Sequence, residues 1–329
     1  MYPFTYTAVT KEGQAIDAFK STPDAMFLAG GTNLIDEMKL NVKTPRALID
    51  ITGVGSDKID DADGGLKIGA LVRNSDLAYD QRVIDRYPAL SQALLSGASA
   101  QLRNMATTGG NLLQKTRCTY YRDVHYEQCN KRNPGSGCAA LEGFNRMHAL
   151  LGTSEKCIAT HPSDMAVAMM ALDAKIHVTG SIARSVSPIP ISDFYVEYGK
   201  DPAKENNLFP GELITAVELP NTPWFKRSLY LKTRDRASYE FALASAAVAV
   251  ELDGKMIKNA RVALGGVGAK PWRSTEAEQV LVGKEANELA FTAAAEAALR
   301  GAKPQKYNAF KVELAKRTIV QALITVTTM

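Results

Sequence analysis

The chain has 329 residues, 46% hydrophobic and 22% charged, with a formal net charge of +4. This is ordinary for a folded domain protein, and so small a positive balance argues against a nucleic-acid or anionic-membrane partner. The length implies two or three domains, and the longest apolar run, Phe241 to Val250, is too short to span a bilayer. The amino-terminal stretch MYPFTYTAVTKEG lacks the basic start and apolar core of a signal peptide, so the expectation is synthesis in the cytoplasm and export only if a partner carries the chain.

Residues 1 to about 52 read as a small α/β unit. Phe27-Leu28-Ala29 is a short apolar strand, Gly30-Gly31 a turn, and Asn33 to Leu40 an amphipathic helix; Ala47 to Ile51 is a second strand, ended by Gly53 and Gly55. A second unit, 53–223, begins with the strand Leu66 to Ala70. Ser75 or Asp76 caps a predicted helix running to about Asp85, and Pro88 opens another through Leu95. A helix from Asp164 to Leu172 and a strand from Lys175 to Val178 follow. Residues 180–223, rich in Pro and Gly, read as a connecting region.

A third unit, 224–329, is predicted as α+β. Leu229 to Thr233, Ala242 to Leu252 and Asn259 to Gly265 form three antiparallel strands, with an Asp253-Gly254 hairpin turn, and helices follow at 274–282, 286–299 and 306–324.

The second unit is interrupted by a loop that holds all four cysteines: Cys118, Cys129, Cys138 and Cys157. The gaps between them are ten, eight and eighteen residues, with none of the close pairs typical of structural zinc. Four thiolates from a spread-out loop can hold an iron–sulfur cubane. Two disulfides, free thiols or zinc remain open on spacing alone. Lys115, Arg117, Arg122, Lys131 and Arg132 outnumber Asp123 and Glu127 around the first cysteines. They read either as a docking patch for an acidic electron acceptor or as a solvated basic surface.

Two glycine loops carry the binding signal. In Ala29-Gly30-Gly31-Thr32-Asn33-Leu34, adjacent glycines before a helix let backbone N–H groups approach a phosphate; a tight strand-to-helix turn is the plainer reading. Ala106-Thr107-Thr108-Gly109-Gly110-Asn111-Leu112 offers two hydroxyls and an amide to a polyanion, or is a polar turn. Ser163 or Asp164 can cap the next helix, and Asp164 can accept from a polyol chain. The four histidines show no ligand pairing. No Ser-His-Asp set or carboxylate pair marks a catalytic residue.

In this order the motifs resemble the FAD-binding medium subunits of the xanthine dehydrogenase family of molybdenum hydroxylases, over essentially the whole chain. The A-G-G-T-x-L loop lies at 29–34 and the T-x-G-G-N loop at 107–111. Ser163-Asp164 follows, then Ala263-Leu264-Gly265-Gly266-Val267 within RVALGGVGAKPWR. The resemblance implies an α+β protein: a vanillyl-alcohol-oxidase (PCMH) type FAD-binding fold of two α/β subdomains, plus a carbon monoxide dehydrogenase flavoprotein C-terminal domain. It implies FAD contacts at Phe27, Leu28, Ala29, Gly30, Gly31, Thr32, Asn33, Leu34, Thr107, Thr108, Gly109, Gly110, Asn111, Asp164, Ile214 and Lys232.

Fifty-one residues separate Asn111 from Ser163, where most members have a few. The insertion is similar to that of the bacterial periplasmic aldehyde oxidoreductase branch, in words such as Pro134-Gly-Ser-Gly-Cys138-Ala-Ala. 4-Hydroxybenzoyl-CoA reductase carries an insertion too. The aldehyde oxidoreductase branch implies a [4Fe–4S] cluster on the four cysteines and a heterotrimer with a large molybdenum-cofactor subunit and a small [2Fe–2S] subunit. It further implies an external electron acceptor and folded export to the periplasm on a partner's twin-arginine signal. Other readings are a 4-hydroxybenzoyl-CoA-reductase-like subunit, or a free-standing flavin oxidase with a zinc or disulfide clip.

Overall fold

The computed structural model describes residues 1–180, 184, 187–199 and 201–329. Three sheets organise the chain. The first joins β1 (Thr5–Ala8), β2 (Ala25–Leu28) and β3 (Ala47–Asp50), all parallel, with β3 in the middle. Parallel pairing demands crossovers. Here these are the helix Glu12–Ser21, which the sequence did not announce, and Leu34–Lys39, which it did.

The second sheet contains β4 (Ile59–Ala62), β5 (Gly65–Gly69), β6 (Lys175–Thr179), β7 (Ile189–Pro190) and β8 (Leu213–Leu219). Its order is β4-β5-β8-β6-β7, antiparallel throughout. The region read as a mere connection therefore supplies the central strand, β8. Pro210-Gly211 and Pro220 hid it, because its apolar run is only as long as the gap between these punctuating residues. Residues 181–183, 185, 186 and 200 of that region lie outside the described residues.

The helix expected from Ser75 to Asp85 is two helices, Asn74–Tyr79 and Gln81–Arg86. Neither Ser75 nor Asp76 is the cap. Asp80 is extended (φ −64°, ψ 124°), and its carboxylate accepts the Arg82 N–H at 2.9 Å. A short acidic side chain that captures a backbone amide starts a new helix rather than continuing the old one.

The helix Asp164–Ala171 is capped by the Ser163 hydroxyl, which accepts the Ala166 N–H at 3.0 Å. Met165 through Leu172 are all buried, which suits a sequence apolar on every face. Burying each Met or Leu there is worth roughly 2 kcal/mol. This helix packs on the helix Pro88–Ser96 and on the third sheet.

The third sheet has β9 (Ser228–Thr233), β10 (Ala244–Asp253), β11 (Met256–Gly265) and a short fourth strand, β12 (Trp272–Arg273), in the antiparallel order β12-β11-β10-β9. The sequence disclosed the first three. Helices Thr275–Leu281, Glu288–Leu299 and Phe310–Thr327 follow the sheet. Position 265, the last of β11, takes glycine because a Cβ there would lie 2.5 Å from Ser245 Oγ and 2.6 Å from the Val167 side chain. Its absence lets the third sheet seat the helix that begins with Asp164.

Candidate functional site

A cavity of about 920 Å³ lies between the first two sheets and β9, at the upper end of the range for ligand pockets. Residues 27–34 form one wall, coming off β2. Thr107, Gly109, Gly110 and Asn111 form another; Asp164, Ile214 of β8 and Lys232 of β9 complete it.

The two glycine loops touch. A Cβ on Gly30 would sit 2.0 Å from the carbonyl oxygen of Met105, so only glycine permits this contact. Among the described residues, no hydrogen bond takes the backbone N–H of Gly30, Gly31, Thr32 or Asn33. Successive unpartnered N–H groups on a cavity wall suit a diphosphate.

The second loop is used differently from its sequence reading. The Thr107 hydroxyl caps its own short helix, Thr108–Leu112, by accepting Gly110 N–H at 3.2 Å. Thr108 is fully buried and does not line the cavity; its hydroxyl donates to the Val72 carbonyl at 3.0 Å. The Asn111 side-chain oxygen accepts from Ser163 Oγ at 2.5 Å and from Gln114 at 2.8 Å. Most of this loop's polar groups hold the loop itself and present its glycine surface to the cavity.

Across the cavity, the Lys232 ammonium donates to Asp164 Oδ2 at 2.8 Å, and Tyr230 OH donates to Oδ1 at 2.5 Å. Side-chain exposure is 3% for Lys232 and 9% for Asp164, so this is a buried ion pair whose orientation is fixed. Burial, and then the Asp164 charge, hold the Tyr230 hydroxyl well above its ordinary range, so it stays a donor.

The structure adds wall residues that the sequence reading missed. Lys115 and Arg117 reach in from the cysteine segment, and Arg236, Tyr239 and Phe241 from the loop joining β9 to β10; Arg117 lies over the Phe241 ring, 5.2 Å from its centre. The charge- and aromatic-dense RDRASYEF stretch was the available signal.

Beside the cavity the four cysteines gather. Cys118 precedes the helical turn Thr119–Arg122, and Cys138 the turn Ala139–Glu142. Cys129 pairs with Cys138 in a backbone bridge, and Cys157 packs with Cys118, Tyr198 and Ala269. None of the four is in a disulfide. Burial pushes the Cys118 and Cys157 thiols up to about 12, with the neighbouring cysteines adding to the rise, and it raises Cys138 as well. Among the described residues, no group of three or more His, Cys, Asp or Glu is set to hold a single metal ion.

The basic residues around this loop are not freely solvated but are taken up within the chain. Arg117 and Arg122 donate to Asp36 at 2.9 and 2.7 Å, stapling the cysteine segment to the helix after the first glycine loop. Arg132 donates to the backbone carbonyls of Asp123 and Tyr126. Glu205 bridges Lys115 and Lys131, the latter at 2.6 Å, and Lys131 also lies 3.7 Å from the centre of the Tyr198 ring. Burial opposes ionisation of Glu205, but the two ammonium groups outweigh it and hold its carboxyl down at about 2. Glu205 must take up the Lys131 charge because little bulk water reaches that side chain, which is 3% exposed.

Of the histidines, His125 is exposed, His177 lies 2.9 Å from Glu218, and His161 is half-buried with its ring edge-on to Tyr195. His148 is buried with its Nε2 3.1 Å from the Cys118 sulfur.

The family described as the FAD binding domain in molybdopterin dehydrogenase matches residues 2–222, and the CO dehydrogenase flavoprotein C-terminal domain matches residues 229–326. The chain is 52% identical to the aldehyde oxidoreductase FAD-binding subunit PaoB of Escherichia coli (strain K12), over 98% of each chain. It is 28% identical to the glyceraldehyde dehydrogenase medium chain of Sulfolobus acidocaldarius, over 88% of this chain and 85% of that one. The solved structure of quinoline 2-oxidoreductase from Pseudomonas putida 86 is similar in fold, with a TM-score of 0.75 and 24% identity over 99% of this chain and 98% of that one. So is CO dehydrogenase from Oligotropha carboxidovorans, with a TM-score of 0.76 and 23% identity over 100% and 99%.

Proposed function

The chain belongs to the family of FAD-binding subunits of molybdenum hydroxylases, an FAD-binding domain followed by a CO dehydrogenase flavoprotein C-terminal domain, and on that premise we propose that it is the FAD and [4Fe–4S] electron-transfer subunit of an aldehyde oxidoreductase. The observation that carries the flavin site is the meeting of two glycine loops across one cavity, with a run of unpartnered N–H groups on one of them. The N–H groups of residues 30–33 hold the diphosphate. The Asp164–Lys232 pair fixes a carboxylate and an ammonium on the opposite wall. Phe27, Leu28, Ala29, Leu34, Thr107, Gly109, Gly110, Asn111 and Ile214 complete the contacts, and Thr108 supports its loop from behind. FAD, when bound, supplies a centre that exchanges one or two electrons with its neighbours.

Cys118, Cys129, Cys138 and Cys157 are the cluster ligands in this reading. The relatives' names mention no cluster; the support is the donor set itself. Desolvation makes the Cys118, Cys138 and Cys157 thiols resist ionisation, and bound iron would supply the positive charge that makes thiolates stable there. We place the domain boundaries near residues 52 and 223.

The aldehyde assignment rests on the relative that is identical at half its positions. Aldehyde is oxidised to carboxylic acid on a large molybdenum-cofactor partner, and a small partner carries [2Fe–2S] clusters. This chain passes their electrons to an external acceptor, within a heterotrimer exported to the periplasm on a partner's signal. No helix among the described residues is long and apolar enough to cross a membrane.

The test is a division of labour. The chain expressed alone should oxidise no aldehyde with any dye, since in this reading the molybdenum centre that oxidises it sits on the large partner. In the FAD-depleted complex, aldehyde should still reduce the [2Fe–2S] clusters in a single turnover, while steady-state turnover with the acceptor is slowed. Robust aldehyde oxidation by the isolated chain would sink the assignment and favour a free-standing oxidase.

A further inference from the structure

We infer that His148 is a positioning residue for the iron–sulfur site: its Nε2–H donates a hydrogen bond to the Cys118 sulfur and raises the potential at which that site accepts an electron. The inference rests on the reading of Cys118 as a cluster ligand.

Three observations carry it. His148 Nε2 lies 3.1 Å from Cys118 Sγ, within reach of a hydrogen bond to sulfur. The other ring nitrogen, Nδ1, is buried with no hydrogen-bond partner among the described residues. An N–H at that position would be orphaned, which costs about 1–3 kcal/mol, so the ring keeps a bare lone pair there and carries its hydrogen on Nε2, facing the sulfur.

The His148 backbone is also anchored on both sides. The His148 N–H donates to the Asn145 carbonyl at 3.1 Å. Its own carbonyl accepts from Lys311 Nζ at 2.9 Å and from Asn308 Nδ2 at 3.2 Å. Lys311 is fully buried on the helix Phe310–Thr327, and its ammonium also donates to the Gly266 carbonyl at 2.6 Å. The next residue, Ala149, donates to Ile158, which adjoins Cys157. The C-terminal domain thus anchors the His148 backbone, and with it the position from which the ring reaches Cys118.

Reduction adds negative charge to cluster and ligand sulfurs. A donor aimed at one sulfur stabilises the reduced form more than the oxidised form, so the potential rises. A hydrophobic ring or chain of similar volume loses this term and little else.

The experiment is an EPR-monitored redox titration of the purified complex carrying His148→Leu or His148→Gln, with iron measured on each sample. Leucine has no donor, whereas the glutamine amide restores one near Nε2. The expected result is wild-type iron in both variants and a lower cluster potential in His148→Leu. The reduction equilibrium should shift by up to about tenfold, ~59 mV for a one-electron couple. His148→Gln should recover most of it. Full iron with an unchanged potential in His148→Leu overturns the inference and leaves the cluster assignment standing. Iron lost from both variants overturns it too, making the ring a ligand or a loop anchor. A wild-type complex without cluster iron defeats the cluster reading itself.

Discussion

A complex carrying Gly30→Val should assemble but hold its FAD at least tenfold more weakly, a loss of at least about 1.4 kcal/mol. The reason is steric and local. A Cβ on Gly30 meets the Met105 carbonyl oxygen at 2.0 Å and the carbonyl carbon at 2.9 Å. Both are backbone atoms, so no rotamer change relieves the contact. The two glycine loops must separate, which moves the N–H groups of residues 30–33 away from the wall opposite Asp164 and Lys232. Gly13→Val is the matched control, because nothing lies within 4 Å of a Cβ there. Flavin fluorescence after denaturation, measured per assembled complex, reads both variants. Full occupancy in Gly30→Val would show that the loop contact does not shape the cofactor site.

Lys131→Met should lower stability by on the order of 3 kcal/mol, because it strands part of a buried carboxylate charge. Glu205 loses one of its two cations and the Tyr198 ring loses the ammonium over its face. Lys115 remains, which keeps the loss at the low end of the range for breaking a buried pair. The temperature at which the complex releases FAD should fall by roughly 5 °C. Adding Glu205→Gln should restore part of the loss by removing the stranded charge, a coupling that distant, independent sites do not show.

The pH dependence follows in sign. The folded Glu205 carboxyl titrates at about 2, below its ordinary value of 4.5, so its contribution is complete above pH 4.5 and is lost as pH falls toward 2. A Lys131→Met variant as heat-stable as wild type would make the network a bystander.

How far the sequence discloses this molecule depends on the range of each interaction. The Ser163 cap, the Pro88 helix start and the Asp253-Gly254 hairpin are settled within four residues, and each stands where the local pattern places it. The glycine pairs announced a site, but not that Gly30 abuts Met105 across seventy-odd residues. The central strand β8 was hidden by its flanking prolines. Lys115 and Lys131 misled most: as a local charge count they describe a basic surface, solvated or docking, whereas tertiary folding turns them inward onto Glu205, seventy-four or more residues away. Thr108 likewise looks like a ligand donor until the fold brings the Val72 carbonyl to it.

The central claim is that this chain holds FAD and an iron–sulfur cluster side by side. Iron and flavin content, measured on the complex for wild type and for Cys118→Ser, Cys129→Ser, Cys138→Ser and Cys157→Ser, tests it most directly. The account predicts flavin in the wild type, and in each variant a loss of about four iron atoms per complex, the content of one cubane. Iron unchanged in all four variants would contradict it.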